Sequence, residues 1–485
     1  MKTAKNIIIG ILALAFTACD DYVNVDPIAE INSESYFNSE ADYQQALIGA
    51  YDALQSTYLN VILSEIASDN SLCGGENAND VTSWQEIDDM EHTVVNSELR
   101  NVWKWMYGGI NRVNYIFEFR DKTEFEGKDE VLGQAAFLRA YYYFELVKFF
   151  GDVPMPIDKR TQFGEESGFG RTPKSEVYAQ IEKDLIFAAD NLPIVQAELG
   201  RVTKGAAKAL LGKAYLYQEK FQPAATVLQE IIDPSYGYDL ADFGTLFLPE
   251  GENGIESVFE VQYSDQEGAG FDCLQCSEGN VLVGFSGIRG YNGPVYADGF
   301  GFNIPTQGLV DQFETGDARF EHTILDIEAH ATANAGVEYS EGWEHTGYFN
   351  NKYIPRKGEQ SIGDTHITNN RNYRSIRFAD VLLMAAEALN RGGIDDSQAQ
   401  IYLNRVRERA DLGNVNATGA ALTEAIYHER RVELAGEGHR FYDLVRIGMA
   451  ADNIPNFVAG KHELFPIPQE EIDLLGGTIS NNNNY

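Results

Sequence analysis

Helical periodicity in two separate blocks of the chain constrains its fold more than any other sequence feature. In the first block, apolar side chains recur every three or four residues, as at Leu138, Tyr142 and Leu146. The second block, from about residue 375 to 447, repeats this spacing from Phe378 onwards. Such spacing places the apolar side chains on one helix face, where they can pack against a neighbouring helix. The sequence therefore predicts a mainly α-helical fold.

Residue types that begin helices precede several of these repeats. Thr172 is predicted as an N-cap with Pro173 at the first helical position, where the missing N–H costs nothing. Thr203 is predicted to cap the next helix, and a second helix follows closely behind it. Small residues at Ala214 and Ala224 would let these two helices approach each other. The pair resembles a tetratricopeptide unit, in which helix pairs stack on one another.

The pattern breaks between the two blocks, from about residue 236 to 372. Glycine is frequent here, residues 258–263 alternate like a strand, and aromatic residues are scattered among predicted turns. An N-terminal segment from about residue 60 to 97 has the same irregular character. Irregular segments carried by a rigid helical scaffold are where binding residues are expected.

The charge balance excludes some classes of function. Lys and Arg sum to 37 and Asp and Glu to 74, so the formal net charge is −37. A nucleic-acid partner is not expected, because this surface would repel phosphates, whereas a neutral sugar would be indifferent to it. No phosphate-binding loop, zincin helix or nucleophile elbow occurs in the sequence. We therefore expect neither an enzyme nor a bound cofactor or metal.

The N-terminus predicts export. Residues 1–18 have Lys2 and Lys5, then a short apolar run, then small residues before Cys19, which is typical of a signal peptide. This run is too short to span a bilayer. The order of small residues and then Cys19 resembles a bacterial lipobox, which predicts acylation of Cys19 and a lipidated tether over residues 19–39. The alternative is an exported protein in which Cys19 merely follows the cleavage site.

Three further cysteines are present, namely Cys73, Cys273 and Cys276. The spacing of Cys273 and Cys276 suits half a zinc site or a redox pair, but no second pair of ligands completes a tetrahedral set. A local disulfide in a loop is the simpler interpretation, since an exported chain can form one.

The C-terminal segment 429–446, ERRVELAGEGHRFYDLVR, resembles the signature of the RagB/SusD family of nutrient-binding outer-membrane lipoproteins of Bacteroidetes. Further segments match the family in the same order along the chain. They are residues 19–27, 137–146 with 150–154, 200–207, 377–384 and 465–468. The resemblance therefore covers nearly the whole chain.

This resemblance implies one SusD-like domain over residues 40–485. Its tetratricopeptide-like scaffold of about four helix pairs would occupy about 40–235 and 373–460, and a variable ligand-binding lobe about 236–372. It also implies a lipid-anchored protein on the outside of the outer membrane, serving a SusC-like TonB-dependent transporter.

The signature segment itself needs no catalytic explanation. Read as one helix, it places charges of opposite sign three residues apart, and it directs Leu434 and Leu444 to the core. The expected ion pairs are Arg430 with Glu433, Glu437 with Arg440, and Arg440 with Asp443.

A glycan is the predicted ligand. Sugar rings present apolar C–H faces that stack on aromatic planes, while their hydroxyls need polar partners. The candidate aromatic residues are Trp84, Tyr291, Tyr296 and Trp343, and the candidate polar partners are Asn70, Arg289 and Asn292. A peptide or a glycoprotein glycan is the alternative ligand. A tetratricopeptide scaffold that binds only proteins is a second alternative, but it would leave these aromatic residues unexplained.

Overall fold

A computed structural model of the chain describes residues 36–266, 270–359, 364 and 366–485. The predicted signal peptide and Cys19 lie outside the described residues. The described helices, in chain order, are α1 Glu40–Asp52, α2 Thr57–Ile66, α3 Thr82–Asp88, α4 Ser97–Glu118, α5 Lys128–Phe150, α6 Lys174–Asn191, α7 Lys204–Tyr217, α8 Phe221–Ile232, α9 Phe243–Leu246, α10 Val281–Phe285, α11 Gln307–Val310, α12 Phe320–Thr323, α13 Ile327–Ala333, α14 Phe378–Arg391, α15 Asp396–Arg409, α16 Gly419–Glu433, α17 Arg440–Arg446, α18 Ala450–Asn453 and α19 Gln469–Leu474.

Six short strands form three antiparallel pairs. The strands are β1 Ser71–Gly74, β2 Ser257–Val261, β3 Phe302–Pro305, β4 Ile324–Asp326, β5 Tyr348–Asn350 and β6 Tyr373–Arg377. Strand β1 pairs with β3, β2 with β6 and β4 with β5. The pair β1–β3 places Ser71 opposite Pro305, so it ties the N-terminal part of the chain to the segment between the two helical blocks.

The long helices form a continuous stack. Helix α1 packs on α4, and each of α4 to α8 packs on the next long helix; α8 then packs on α14, which contacts α15 and α16. The chain thus leaves the stack after α8 and rejoins it at α14, with strand β6 leading directly into α14. This confirms the predicted mainly α-helical, tetratricopeptide-like scaffold.

The predicted helix starts are only partly correct. The Thr203 hydroxyl accepts a hydrogen bond from the Ala206 N–H at 3.1 Å, which confirms Thr203 as the cap of α7. Helix α6, however, begins at Lys174, because the backbone of Thr172 is extended and pairs with Val153. Pro173 is therefore the residue before the helix and not its first residue.

The segment 60–97, predicted to be irregular, contains much of α2, all of β1 and α3, and the start of α4. All ten residues of α2 are buried, including the polar Thr57, Asn60 and Ser64. The prediction of an irregular segment rested on the polar and glycine residues around 69–75, which form β1 and its flanking turns and do not extend through the neighbouring helices.

The expected ion pairs of the signature segment are also wrong. The segment is two helices, since α16 ends at Glu433 and α17 begins at Arg440, with Gly436 and Gly438 at positive φ between them. Arg430 instead contacts Asp380 at 2.8 Å, and Arg440 binds both carboxylate oxygens of Asp69 at 2.7 and 3.0 Å. Leu434 and Leu444 are buried, as expected.

The remaining signature carboxylates belong to a buried cluster that we call the junction ion network. Its members are Arg319, Lys352, Arg377, Arg409, Glu256, Glu429, Glu433 and Glu437. Glu433 contacts Arg319 at 2.8 Å, and Glu437 contacts Lys352 at 2.7 Å. Arg319 and Lys352 precede β6, so the network joins the segment between the helical blocks to α16.

Burial and charge act in opposite directions in this network. Burial alone would raise the pKa of Glu433, but Arg409, Arg377 and Arg319 hold it well below its ordinary value. Burial lowers the pKa of Lys352 to about 8, against the opposing effect of Glu437. The network is buried and its charges are paired, which is the arrangement expected of a structural element.

Candidate ligand-binding cleft

An open cleft of about 640 Å³ lies between helix α4 and the 3₁₀ turn Phe271–Cys276. Residues of α3, α10 and β3 complete its walls. The cleft therefore forms where the N-terminal helices meet the segment between the two helical blocks. Both of the segments that the sequence singled out as irregular contribute to it.

One wall of the cleft is a continuous series of aromatic rings. Trp84 packs edge-on against Phe285 and Phe302, with ring centroids 4.8 and 5.0 Å apart. Phe285 contacts Phe300 at 5.4 Å, and Phe300 contacts Phe271 at 5.5 Å. Exposure changes along the series from 3% at Trp84 to 52% at Phe271. Phe271 is thus the ring of this series that a ligand can reach most easily.

The opposite wall is the first half of α4. Asn96 caps this helix, since its side-chain oxygen accepts hydrogen bonds from the N–H groups of Glu98 and Leu99. Glu98, Asn101 and Lys104 of this helix line the cleft. Burial raises the pKa of Glu98, and the Asn101 amide donates a hydrogen bond to its carboxylate at 3.2 Å. This wall therefore offers amide and carboxylate groups that can bind hydroxyls.

Arg289 is among the residues that line the cleft. Its guanidinium donates to Asp80 at 3.0 Å and to the carbonyl oxygen of Phe300 at 3.1 Å, and it lies 3.7 Å from Glu76. The charged residues lining the cleft are Glu76, Asp80, Glu98, Asp272, Lys104 and Arg289. Carboxylates outnumber cations by four to two, so the cleft carries a net negative charge.

Trp84 and Trp343 lie in different environments, and that of Trp84 differs from the expectation. Trp84 was predicted in an irregular loop but lies on α3 with its ring buried, and its buried indole N–H has no hydrogen-bond partner among the described residues. Trp343 is 43% exposed and lies beside the cleft, where its backbone N–H donates to Gly75 at 2.9 Å. The two segments meet, but their rings do not form one exposed surface.

The two tyrosine candidates are buried in a small core that is separate from the main one. Tyr291 and Tyr296 pack against each other at 5.6 Å, among apolar side chains that include Ile288. The Tyr291 hydroxyl contacts His330 at 3.0 Å. These rings are therefore unavailable for stacking on a ligand, because neighbouring side chains already cover them.

The polar candidates are also divided. Asn70 is fully buried and accepts a hydrogen bond from Arg431 at 2.9 Å, so it contacts the core and not the cleft. Asn292 is exposed, but its backbone pairs with Glu338 outside the cleft. Of the seven candidates, the structure brings Trp84 and Arg289 to the cleft.

Sequence reasoning missed Phe271, and one signal could have found it. Phe271 lies two residues before Cys273, which forms a disulfide with Cys276, as expected from their spacing. A short disulfide-closed turn in an aromatic-rich segment presents its neighbours at the surface. Cys73 is a free, buried thiol.

Two further properties of the described residues bear on the site. In the described ranges, no group of three or more His, Cys, Asp or Glu side chains is placed to hold a metal ion. No helix within the part of the chain that the structure describes is long and apolar enough to cross a membrane.

Comparisons with known proteins agree with this architecture. Residues 255–457 match the model of the SusD family, and residues 21–216 match a model described as starch-binding associating with outer membrane. A SusD-like protein P2 from Formosa agariphila is 28% identical over 98% of both chains.

Solved structures are also similar over most of the chain. A surface glycan-binding protein A from Bacteroides thetaiotaomicron, in complex with laminarihexaose, has a TM-score of 0.82 at 27% identity and covers 92% of this chain and 99% of its own. A laminarin-binding SusD-like protein has a TM-score of 0.85 at 35% identity, covering 92% of this chain and 100% of its own. At this level of identity over almost the full length of both proteins, the chain belongs to the SusD family.

Proposed function

We propose that this protein is a cell-surface lipoprotein that captures a neutral glycan in the α4–Phe271 cleft and delivers it to a SusC-like TonB-dependent transporter of the outer membrane. The observation that carries the proposal is the aromatic wall ending in the exposed Phe271, opposite the polar wall of α4. An exposed ring facing hydroxyl-binding groups suits a sugar, which has apolar faces and polar edges.

The open shape of the cleft suits a delivery protein. Its ligand would contact one exposed ring and a few polar side chains, so it would be bound weakly enough to be released. Laminarin is the first ligand to test, because one structurally similar protein is described as laminarin-binding and another was solved in complex with laminarihexaose.

The charge of the cleft favours neutral over anionic glycans. Arg289 is already paired with Asp80, so Lys104 is the cation left to attract a sulfate or uronate group. Four carboxylates line the same cleft. Repulsion between like charges a few ångströms apart is worth about 1–4 kcal/mol, depending on how much water separates them. We therefore assign a neutral polymer to this cleft.

The N-terminal sequence and the family support the proposed location. The lipobox at Cys19 would supply the anchor, and two or three acyl chains give stable membrane attachment where a single chain is marginal. The net charge of −37 would hold the body of the protein away from anionic lipid. A Cys19→Ser variant should lose its lipid label and leave the membrane fraction; a variant that stays membrane-bound through detergent-free washing contradicts this anchor.

Calorimetric titration with laminarin and with sulfated laminarin tests the ligand. We expect wild-type protein to bind laminarin, and to bind its sulfated form roughly tenfold more weakly at low salt. Phe271→Ala should weaken laminarin binding by about 1–3 kcal/mol, because a ring that contacts the ligand is removed.

The matched control is Phe163→Ala, which removes an exposed phenylalanine outside the cleft and should leave the affinity unchanged. If Phe271→Ala binds laminarin as tightly as wild type, the ligand binds elsewhere. If a peptide library binds and no glycan does, the peptide alternative replaces this proposal.

A further inference from the structure

The turn that carries Phe271 has few interactions to hold its shape. Within Phe271–Cys276, five of six residues are exposed and only Leu274 is partly buried. Among the described residues, two backbone hydrogen bonds cross it, from Cys273 to Gly270 and from Ser277 to Leu274, each at 3.2 Å. A segment with so little burial and so few hydrogen bonds belongs to the low-stability end of a protein.

Firm attachment begins immediately after the turn. Ser277 is buried, and its hydroxyl donates to Ile367 at 3.1 Å. Glu278 accepts a hydrogen bond from Gln55 at 2.6 Å, and its carbonyl oxygen accepts one from Ser264 at 2.7 Å. These contacts fix the C-terminal end of the turn but do not reach Phe271.

The disulfide between Cys273 and Cys276 links the two halves of the turn covalently. Cys276 is next to the fixed residue Ser277, and Cys273 is two residues after Phe271. Four consecutive residues of the turn besides Phe271 line the cleft, namely Asp272, Cys273, Leu274 and Gln275. The disulfide therefore lies in the cleft wall itself, and the shape of that wall depends on it.

We propose that the Cys273–Cys276 disulfide is a positioning element of the binding cleft, which holds Phe271 against Phe300 so that the ring is already placed for a sugar. The inference rests on the proposed glycan-binding function for its affinity readout. Fixing a loop in its bound conformation improves affinity because less conformational entropy is lost on binding. The disulfide then acts on affinity without contributing much to the stability of the helical scaffold.

A Cys273→Ser/Cys276→Ser double variant tests this role. We expect laminarin to bind roughly 2- to 12-fold more weakly, which corresponds to ordering one side chain on binding. The melting temperature should change little, because the turn is exposed. Treating wild-type protein with a phosphine reductant, which is oxidised to its oxide while the disulfide becomes two thiols, should reproduce the loss. The reductant should not affect the double variant, in which Cys73 is buried.

A second measurement does not depend on any ligand. Amide hydrogen exchange should accelerate over residues 270–277 and around Phe300 in the double variant, and stay unchanged in helix α14. If exchange in these segments is unaltered, the disulfide does not hold the turn and the inference is wrong. If exchange accelerates but wild type and variant bind laminarin equally, the disulfide orders the turn without preparing the cleft, which also overturns it. Absence of laminarin binding by the wild type would instead count against the proposed ligand, and the exchange result would still decide whether the turn depends on the disulfide.

Discussion

The junction ion network and the cleft are both rich in charge, yet they differ in burial and in the pairing of their charges. In the network, Glu433 and Glu437 are fully buried and each contacts at least two cations. In the cleft, carboxylates outnumber cations and several side chains are open to water. Burial with complete pairing distinguishes charges that hold the fold, while exposure with incomplete pairing distinguishes charges available to a ligand.

This comparison also separates the two kinds of aromatic residue. Trp84 lies at the inner end of the aromatic series and Phe271 at the outer end. The two rings belong to one wall, but truncating the first should affect stability and truncating the second should affect binding.

Glu433→Gln should destabilise the protein most. The substitution keeps the shape of the side chain but removes the charge that Arg319, Arg377 and Arg409 share. Each arginine keeps another carboxylate partner, but removing a carboxylate shared by three buried cations should still cost about 3–5 kcal/mol, which denaturant unfolding would measure. The control is Glu76→Gln in the cleft, where the exposed charge should matter by about 0.5 kcal/mol or less. Equal losses in the two variants would contradict the comparison.

Trp84→Ala should cost about 3–5 kcal/mol of unfolding free energy, since the ring packs between Phe285 and Phe302. Phe271→Ala should leave unfolding almost unchanged, because that ring is half exposed. Thermal melts beside calorimetric titrations separate the two effects. A Trp84→Ala protein that melts normally but no longer binds laminarin would make Trp84 a direct ligand contact.

Arg440→Ala should lower the unfolding free energy by about 1–3 kcal/mol. Its guanidinium binds both oxygens of Asp69 and thereby fixes α17 to the end of α2, outside the cleft. Laminarin affinity of the folded protein should be retained. A loss of affinity without a loss of stability would place this helix in the binding site.

The smallest expected effect is a dependence of stability on pH through Glu65, which lies beside the junction ion network. Burial raises the pKa of Glu65 to about 7, although the N–H of Gly438 donates a hydrogen bond to it at 2.6 Å. The folded protein therefore holds a proton that the unfolded chain has released, and stability falls as pH rises from about 4.5 to 7.

Glu65→Gln should remove this contribution, so the slopes of the two stability profiles should differ by up to about 1.4 kcal/mol per pH unit across that range. Burial also raises the pKa of Asp88, to about 8. Its contribution to the pH dependence of stability is the same in both proteins, so it cancels when the two stability profiles are subtracted. His439 stays neutral in this range because burial lowers its pKa to about 3. Parallel unfolding profiles for wild type and Glu65→Gln would show that Glu65 is ionised in the folded protein.

The sequence by itself determined what depends on neighbouring residues. Periodic apolar spacing predicted helices α5, α7 and α14, Thr203 predicted its cap, and the spacing of Cys273 and Cys276 predicted their disulfide. Each of these features is decided within a few residues. The long ordered set of family motifs likewise identified the fold without any three-dimensional information.

Only the tertiary structure decided which residues are buried and which charges pair. Trp84 is covered by Phe285 and Phe302, about 200 residues away in the chain, and Arg440 binds Asp69 across an even longer separation. Phe271 stays half exposed because the described residues of the opposite wall do not cover its ring. Local sequence carries no record of such distant contacts, so it could predict an aromatic-rich binding segment but not which of its rings faces the ligand.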